Sequence, residues 1–187
     1  SRAHANWAAT AYVAASIVVI AVLIRQKPAT WINASMAIHL AIMVAISGGF
    51  GFADRVDMPM VRKPISKLFG WDELGRQVEA RVTETGALAV LADTRELAAQ
   101  LLYSLRDTDI KVYEWKPGPL PESHFQLKMP ISRETPEPGL LVTQREDGTR
   151  LSSLYGQIDP AGRTRIPTAR NDFRIINFFL VSRFEER

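Results

Sequence analysis

The sequence predicts an α + α/β protein in which a two-helix transmembrane hairpin precedes a small α/β domain with a mixed sheet. Residues 1–53 contain three basic residues and no acidic residue, whereas residues 54–187 contain the rest of the 23 Lys and Arg and all 20 Asp and Glu. The acid-free part carries two long uncharged runs, and the charged part alternates helical and extended apolar patterns. We therefore predict a hairpin over 1–53, a connector over 54–69 and an α/β domain over 70–187.

Each uncharged run is long enough for a transmembrane helix. Residues 7–24 and 29–53 would rise roughly 27 and 37 Å as helices, against a hydrocarbon core of about 30 Å. Apolar residues surround each helix rather than forming one stripe, which disfavours a buried hairpin of a soluble protein. His39 lies inside the second run, where a lone His is more typical of a hydrogen bond to a neighbouring helix than of a functional group.

The charges around these runs support two opposite orientations. Arg25 and Lys27 in the short loop favour a cytoplasmic loop with both ends outside. The four basic residues of 54–69 favour the reverse. Charge alone leaves both orientations open.

The charged part begins with two predicted helices. Trp71, Leu74 and Val78 fall on one stripe of a helix that Gly86 ends. A second helix over 94–105 has Leu at helical spacing, and Asp93 or Thr94 can cap it. The remaining apolar segments read as strands, at 87–92, 110–115, 139–144, 152–159 and 173–184. The last two strands are predicted to pair as an antiparallel ribbon, with 160–172 as their separator.

The chain offers no catalytic or metal site that its residues alone identify. Asp72 and Glu73 are explained as first-turn acids of a helix, and Asp147 as part of a turn. The three His residues are far apart, and Cys is absent, so His or Cys metal sites and thiol catalysis are not expected. Basic residues are not clustered, so no nucleic-acid partner is expected.

Four segments occur in this order along the chain: "HANWAATAY", "KLFGWDELGRQVE", "VLADTRELAAQLLYSL" and "PESHFQLKMP". Together they resemble segments of bacterial polyprenyl-phosphate-sugar-dependent membrane glycosyltransferases, the superfamily of protein mannosyltransferases and the lipid A aminoarabinose transferase. "HANWAATAY" resembles the segment "NWPAPAY" before a late transmembrane helix, and "KLFGWDELGRQVE" resembles "RLRGWxxLxxxV". "VLADTRELAAQLLYSL" is similar to "xxADRYQxASELAFYL", and "PESHFQLKMP" stands where the family has an "NQYDLW"-like stretch. The sequence departs from the family at six of these positions, Ala8, Thr10, Arg95, Ser123, Gln126 and Lys128.

The resemblance implies that this chain is the C-terminal part of an inverting glycosyltransferase of the bacterial inner membrane. The α/β domain would be periplasmic, and the catalytic acid and further transmembrane helices would lie upstream. Partners would be the lipid bilayer, a polyprenyl-phosphate sugar donor and the remaining helices, and a divalent metal is compatible with the complete enzyme. Asn6 and Trp7 are the candidate substrate-binding residues, with an aromatic-belt Trp and a capping Asn as the alternative.

Two other classes of protein remain open at this stage. One is a membrane-anchored periplasmic binding or assembly domain without catalysis. The other is a regulatory subunit of a transporter, which the absence of an ATP-binding motif disfavours.

Overall fold

The computed structural model describes residues 9–26, 29–51, 66–169 and 172–185. The chain divides into two compact units, Ser1–Phe52 and Ala53–Arg187. The fold-class prediction is confirmed, because an apolar helix pair precedes a mixed five-stranded sheet with helices.

The N-terminal unit contains two apolar helices, α1 (Ala9–Gln26) and α2 (Ala29–Gly51). Among the described residues, Thr30–Gly49 is the one segment long and apolar enough to cross a membrane, and none of it is buried. The apolar part of α1, Ala11–Arg25, is shorter. The predicted span over α1 starts at Trp7, outside the described residues, so it stays a prediction.

The titratable residue of α2 finds its partner within its own helix. His39 Nδ1 lies 2.7 Å from the carbonyl oxygen of Ser35, one turn back. In the described part of the chain, the His39 ring therefore bonds within α2 and not, as had been expected, to a neighbouring helix.

The second unit alternates helices and strands around one sheet. Its helices are α3 (Trp71–Thr85), α4 (Arg95–Ser104) and α5 (His124–Lys128). Its strands are β1 (Ala89–Ala92), β2 (Val112–Glu114), β3 (Gly139–Thr143), β4 (Tyr155–Ala169) and β5 (Asp172–Phe184). The strand order is β2-β1-β3-β5-β4, with β1 parallel to β2 and β3, and β5 antiparallel to β3 and β4.

Both faces of the sheet are covered. Helices α3 and α4 pack on one face through their apolar stripes, including Trp71, Leu74 and Leu97. The connections before and after β3 cover the other face, where Leu151 and Tyr155 pack on Leu141. Parallel strands buried on both sides read as continuous apolar runs, which is why "AVLA" and "GLLVT" show no alternation.

The predicted separator between the last two strands is itself part of a strand. β4 runs through residues 160–169, and only 170–171 separate it from β5. Register shifts at Pro160/Gly162 and Pro167/Ala169 accommodate the residues that suggested a loop. β4 is the outer strand, and Pro is tolerated at such edges because one side of the strand needs no donor. The predicted antiparallel pairing is confirmed.

The predicted helix boundaries are mostly confirmed. Gly86, with φ 68°, ends α3 in the left-handed conformation, and Thr94 caps α4 by accepting a hydrogen bond from Leu97 N. Asp72 and Glu73 lie in the first turn of α3. Hydrogen bonds from Gln77 and Arg76 hold the pKa of Glu73 below its usual value.

Candidate functional site: a buried carboxylate at the carboxyl edge of the parallel strands

Asp93 follows β1 at the edge of the sheet where the three parallel strands end. The segments after β2 and β3 arrive at the same edge, beginning with Trp115 and Gln144. Ligands of open α/β sheets bind preferentially beyond the carboxyl ends of parallel strands. This edge is therefore the place in the described domain to look for a site.

The Asp93 carboxylate is almost completely buried and accepts a side-chain hydrogen bond. Thr143 Oγ1 donates to its Oδ2 at 2.8 Å. The guanidinium atoms of Arg150 and Arg145 lie 3.7 and 4.0 Å from the same oxygen. Among the described residues, Oδ1 has no hydrogen-bond partner. Of the two residues predicted as possible caps of α4, Thr94 takes that role, and Asp93 points instead into a polar cluster.

Burial opposes the ionisation of this group. Desolvation raises the pKa of the Asp93 carboxyl, and the Thr143 hydrogen bond and the two arginines oppose this rise without cancelling it. The arginines are beyond hydrogen-bonding distance of the carboxylate, so they contribute charge but no direct bond. The cluster thus holds an acid that resists ionisation beside two permanent cations.

The two arginines form the solvent-facing side of this cluster. Arg150 donates from Nη1 to the carbonyl oxygen of Asp93 at 2.9 Å, and its guanidinium lies 4.9 Å from the Trp115 ring centre. Asn177 Nδ2 donates to the Arg145 carbonyl oxygen at 2.6 Å, which fixes the backbone there. Arg150 is about one-third exposed and Arg145 about half. Chemically, such a pair suits a phosphate or carboxylate group.

A second buried acid lies at the end of β2. Ser123 Oγ donates to Glu114 Oε2 at 2.5 Å, and Gln126 Nε2 lies 3.3 Å from Oε1. Gln126 also donates to the Trp115 carbonyl oxygen, and Ser123 caps the short helix α5. Ser123 and Gln126 are two positions where the sequence departs from the glycosyltransferase motif that it resembles, and here both form hydrogen bonds with Glu114.

An open cleft of about 250 Å³ lies at the same edge, lined by residues that include Lys67, Glu96 and Arg174. Arg174 donates to the carbonyl oxygens of Phe69 and Ser66 at 3.0 and 3.1 Å, and its guanidinium stacks 3.5 Å from the Trp71 ring centre. Partial burial lowers the pKa of Arg174. The first described residues of the domain are therefore fastened to β5 at this edge.

The residues that the sequence singled out are distributed as follows. Asn6 and Trp7 lie outside the described residues, so their substrate-binding role stays a prediction. Asp147 accepts hydrogen bonds from Thr149 N and Oγ1, as expected of a turn residue. Within the described part of the chain, no three His, Asp or Glu side chains are grouped for a metal ion.

Sequence reasoning missed the Asp93–Arg150 cluster. The two residues are 57 positions apart and meet only because β1 and β3 are parallel neighbours. The available signal was a carboxylate placed directly after a fully apolar strand, a position where parallel strands deliver polar residues to one edge. That same position also suits a helix cap, so the local sequence does not distinguish a cap from a site residue.

The raised pKa gives a prediction with a definite sign. The unfolded Asp93 titrates near 3.8, and the folded one at higher pH, so the folded state binds the extra proton between these values. The stability contributed by this group is therefore complete below the unfolded pKa and is lost as the pH rises through the folded pKa. We expect Asp93→Asn, which retains an acceptor for Thr143, to gain stability relative to the wild type as the pH rises. Thermal unfolding of both proteins across the acidic to neutral range measures this, and a pH-independent difference would contradict it.

Comparison with known proteins indicates the functional class to which the chain is similar. The chain is similar to a lipid A galacturonosyltransferase. That protein, from Rhizobium johnstonii, is 27% identical over 143 residues, which are 76% of this chain and 30% of the relative. The similarity supports a glycosyltransferase-like family, and together with the candidate span in α2 it points to a membrane protein.

The similarity has a limited extent. The chain spans less than a third of the length of the galacturonosyltransferase. No family model matches the chain. No solved structure matches it either.

Proposed function

We propose that this chain is the C-terminal part of an integral-membrane glycosyltransferase that transfers a sugar from a polyprenyl-phosphate donor to an extracytoplasmic acceptor. The observation that carries the proposal is the similarity to the lipid A galacturonosyltransferase, which extends over three-quarters of the chain. The catalytic acid, by this proposal, belongs to a part of the protein upstream of these residues. Sugar transfer by the complete gene product is the direct test.

The chemistry of such a reaction assigns roles to groups in the chain. A polyprenyl-phosphate donor keeps its reactive carbon at the membrane surface, and its leaving phosphate needs a cation. Arg145 and Arg150 are partly exposed cations held at one edge of the domain, which suits them to an anionic group of donor or acceptor. Asn6 and Trp7 would line the donor site at the outer end of the first span, with the indole stacking on sugar or isoprenoid.

The sidedness of the domain is part of the proposal. We place the loop between α1 and α2 in the cytoplasm and the α/β domain in the periplasm of the bacterial inner membrane. The chain contains no Cys, so a single introduced thiol reports one position. We expect Gln26→Cys to resist a membrane-impermeant thiol reagent in intact cells.

A second thiol completes the test of sidedness. Leu120→Cys, at a highly exposed side chain of the domain, should react in the same intact cells. Both variants should react after the cells are lysed, which controls for buried thiols. The reverse pattern in intact cells would contradict the proposed orientation. Periplasmic labelling without any sugar transfer by the complete protein would instead favour a binding or assembly domain.

A further inference from the structure

The end of the β4–β5 ribbon projects beyond the rest of the sheet. The last residue of β3, Thr143, pairs with Asn177, so β5 residues 172–176 continue past it and pair only with β4. The first described segment of the domain packs against this end, because Arg174 bonds to the backbone of Ser66 and Phe69. We call residues 66–69, 165–168 and 172–175 the hairpin tip.

The hairpin tip exposes large apolar side chains on both of its faces. Phe173 (48% exposed) and Ile175 alternate with Arg174 along β5, and so lie on the face away from α3 and α4. Leu68 (58% exposed) and Phe69 belong to the segment that packs on the opposite face. A tip that is apolar on both faces differs from an ordinary soluble hairpin, in which one face is packed and the other is polar.

Basic residues accompany these apolar side chains. The described tip contains three basic residues, Lys67, Arg165 and Arg174, and one acidic residue, Asp172. Arg165 lies opposite Ile175 in the ribbon, and its guanidinium is 4.7 Å from the Phe173 ring centre. Aromatic and aliphatic groups flanked by Arg and Lys are the composition that favours the boundary between lipid headgroups and acyl chains.

The position of the tip in the chain favours a membrane surface as its binding partner. Residues 52–65 are the whole connection between α2, whose Thr30–Gly49 segment is suited to cross a membrane, and Ser66 at the tip. The domain therefore begins, in sequence and in space, at the element that carries these exposed apolar groups. The opposite edge, where Leu88 precedes β1, lies far along the strands from the tip.

We infer that the hairpin tip inserts into the membrane–water interface, with Leu68, Phe69, Phe173 and Ile175 among the lipid chains and Lys67 and Arg165 at anionic headgroups. The insertion orients the carboxyl edge of the parallel strands, and with it Arg145 and Arg150, toward the lipid surface. The inference rests on α2 crossing the membrane and is independent of the proposed sugar transfer.

Spin labels on single cysteines test the insertion directly. The full chain is reconstituted into vesicles of phosphatidylcholine mixed with phosphatidylglycerol, with one label at Phe173→Cys or Leu68→Cys. Collisions with lipid-soluble oxygen and with a water-soluble nickel complex are then measured. The matched control is Leu88→Cys, because Leu88 is apolar and 61% exposed at the opposite edge. Leu120→Cys provides a second label in water.

We expect oxygen collisions to dominate at residues 68 and 173, and nickel collisions to dominate at residues 88 and 120. A basic residue near an anionic surface contributes about a factor of five to binding. Arg165→Glu should therefore lower the ratio of inserted to water-exposed label at residue 173 by about fivefold or more. Vesicles of phosphatidylcholine alone should lower the same ratio for the chain that keeps Arg165. Nickel collisions dominating at residue 173 would overturn the inference. So would a label shielded from both reagents, since that indicates coverage by protein.

Discussion

Replacing Trp71 with Ala is expected to destabilise the α/β domain by about 3–5 kcal/mol, the range for truncating a buried aromatic side chain. Trp71 is 7% exposed and belongs to the core formed by α3, α4 and the sheet. Its Nε1 donates to the Lys67 carbonyl oxygen at 2.8 Å, and the Arg174 guanidinium stacks on its ring. The substitution thus removes side-chain volume from the core and also the contacts that hold residues 66–69 against the domain. The loss is comparable with the whole stability of a small domain.

The measurement is the near-ultraviolet circular dichroism of the full chain in detergent, followed during heating. Most of the aromatic residues lie in the domain, so this signal reports mainly their packing, whereas the far-ultraviolet signal contains a large contribution from α1 and α2. Tyr103→Ala is the matched control, because Tyr103 is an exposed aromatic residue of α4. Its effect should stay within about 0.5 kcal/mol. An unchanged melting temperature for Trp71→Ala would show that the indole does not hold the core.

Gly70→Ala is expected to cost about 2–6 kcal/mol, the sum of backbone strain and overpacking. Gly70 precedes α3 with φ 84°, in the left-handed region that residues with a Cβ adopt at a cost. A Cβ there would lie 2.7 Å from Ile166 Cγ2 and 2.8 Å from the Pro167 carbonyl oxygen. The carbonyl belongs to β4, so relief requires the ribbon to move away from α3.

Gly86→Ala separates the cost of backbone strain from the cost of overpacking. Gly86 has φ 68° at the end of α3, but nothing lies within 4 Å of its built Cβ. Gly86→Ala should therefore cost only the strain, about 1–2 kcal/mol. Chemical unfolding of both variants gives the comparison. Equal losses would mean that the contact between Gly70 and β4 contributes nothing.

The fold could be predicted where each residue pattern has one structural explanation. The stripe through Trp71, Leu74 and Val78, followed by Gly86, leaves few alternatives to a helix that ends there. The residues Pro160, Gly162 and Pro167 had two explanations, a loop or an irregular edge strand. Edge position is a property of the whole sheet, and local sequence does not contain it.

The candidate site could be predicted only in part, for the same reason. The sequence predicts Asp93 only as a possible cap of α4, because its partners Thr143, Arg145 and Arg150 come from a distant segment. Their meeting depends on β1 and β3 being parallel neighbours, which the order of elements did not specify. Ser123 and Gln126 looked like departures from a family motif, and only the structure shows that they satisfy Glu114.

The central claim is tested most directly by the rate at which the complete gene product, reconstituted in lipid, transfers sugar from polyprenyl-phosphate donors to an extracytoplasmic acceptor. The account predicts transfer that depends on the donor. In the complete protein, Trp7→Ala should reduce turnover by at least tenfold, about 1.4 kcal/mol of transition-state stabilisation. Residues 1–187 alone should transfer none, because the catalytic acid is proposed to lie upstream. Absence of transfer by the complete protein, or robust transfer by residues 1–187 alone, would contradict the account.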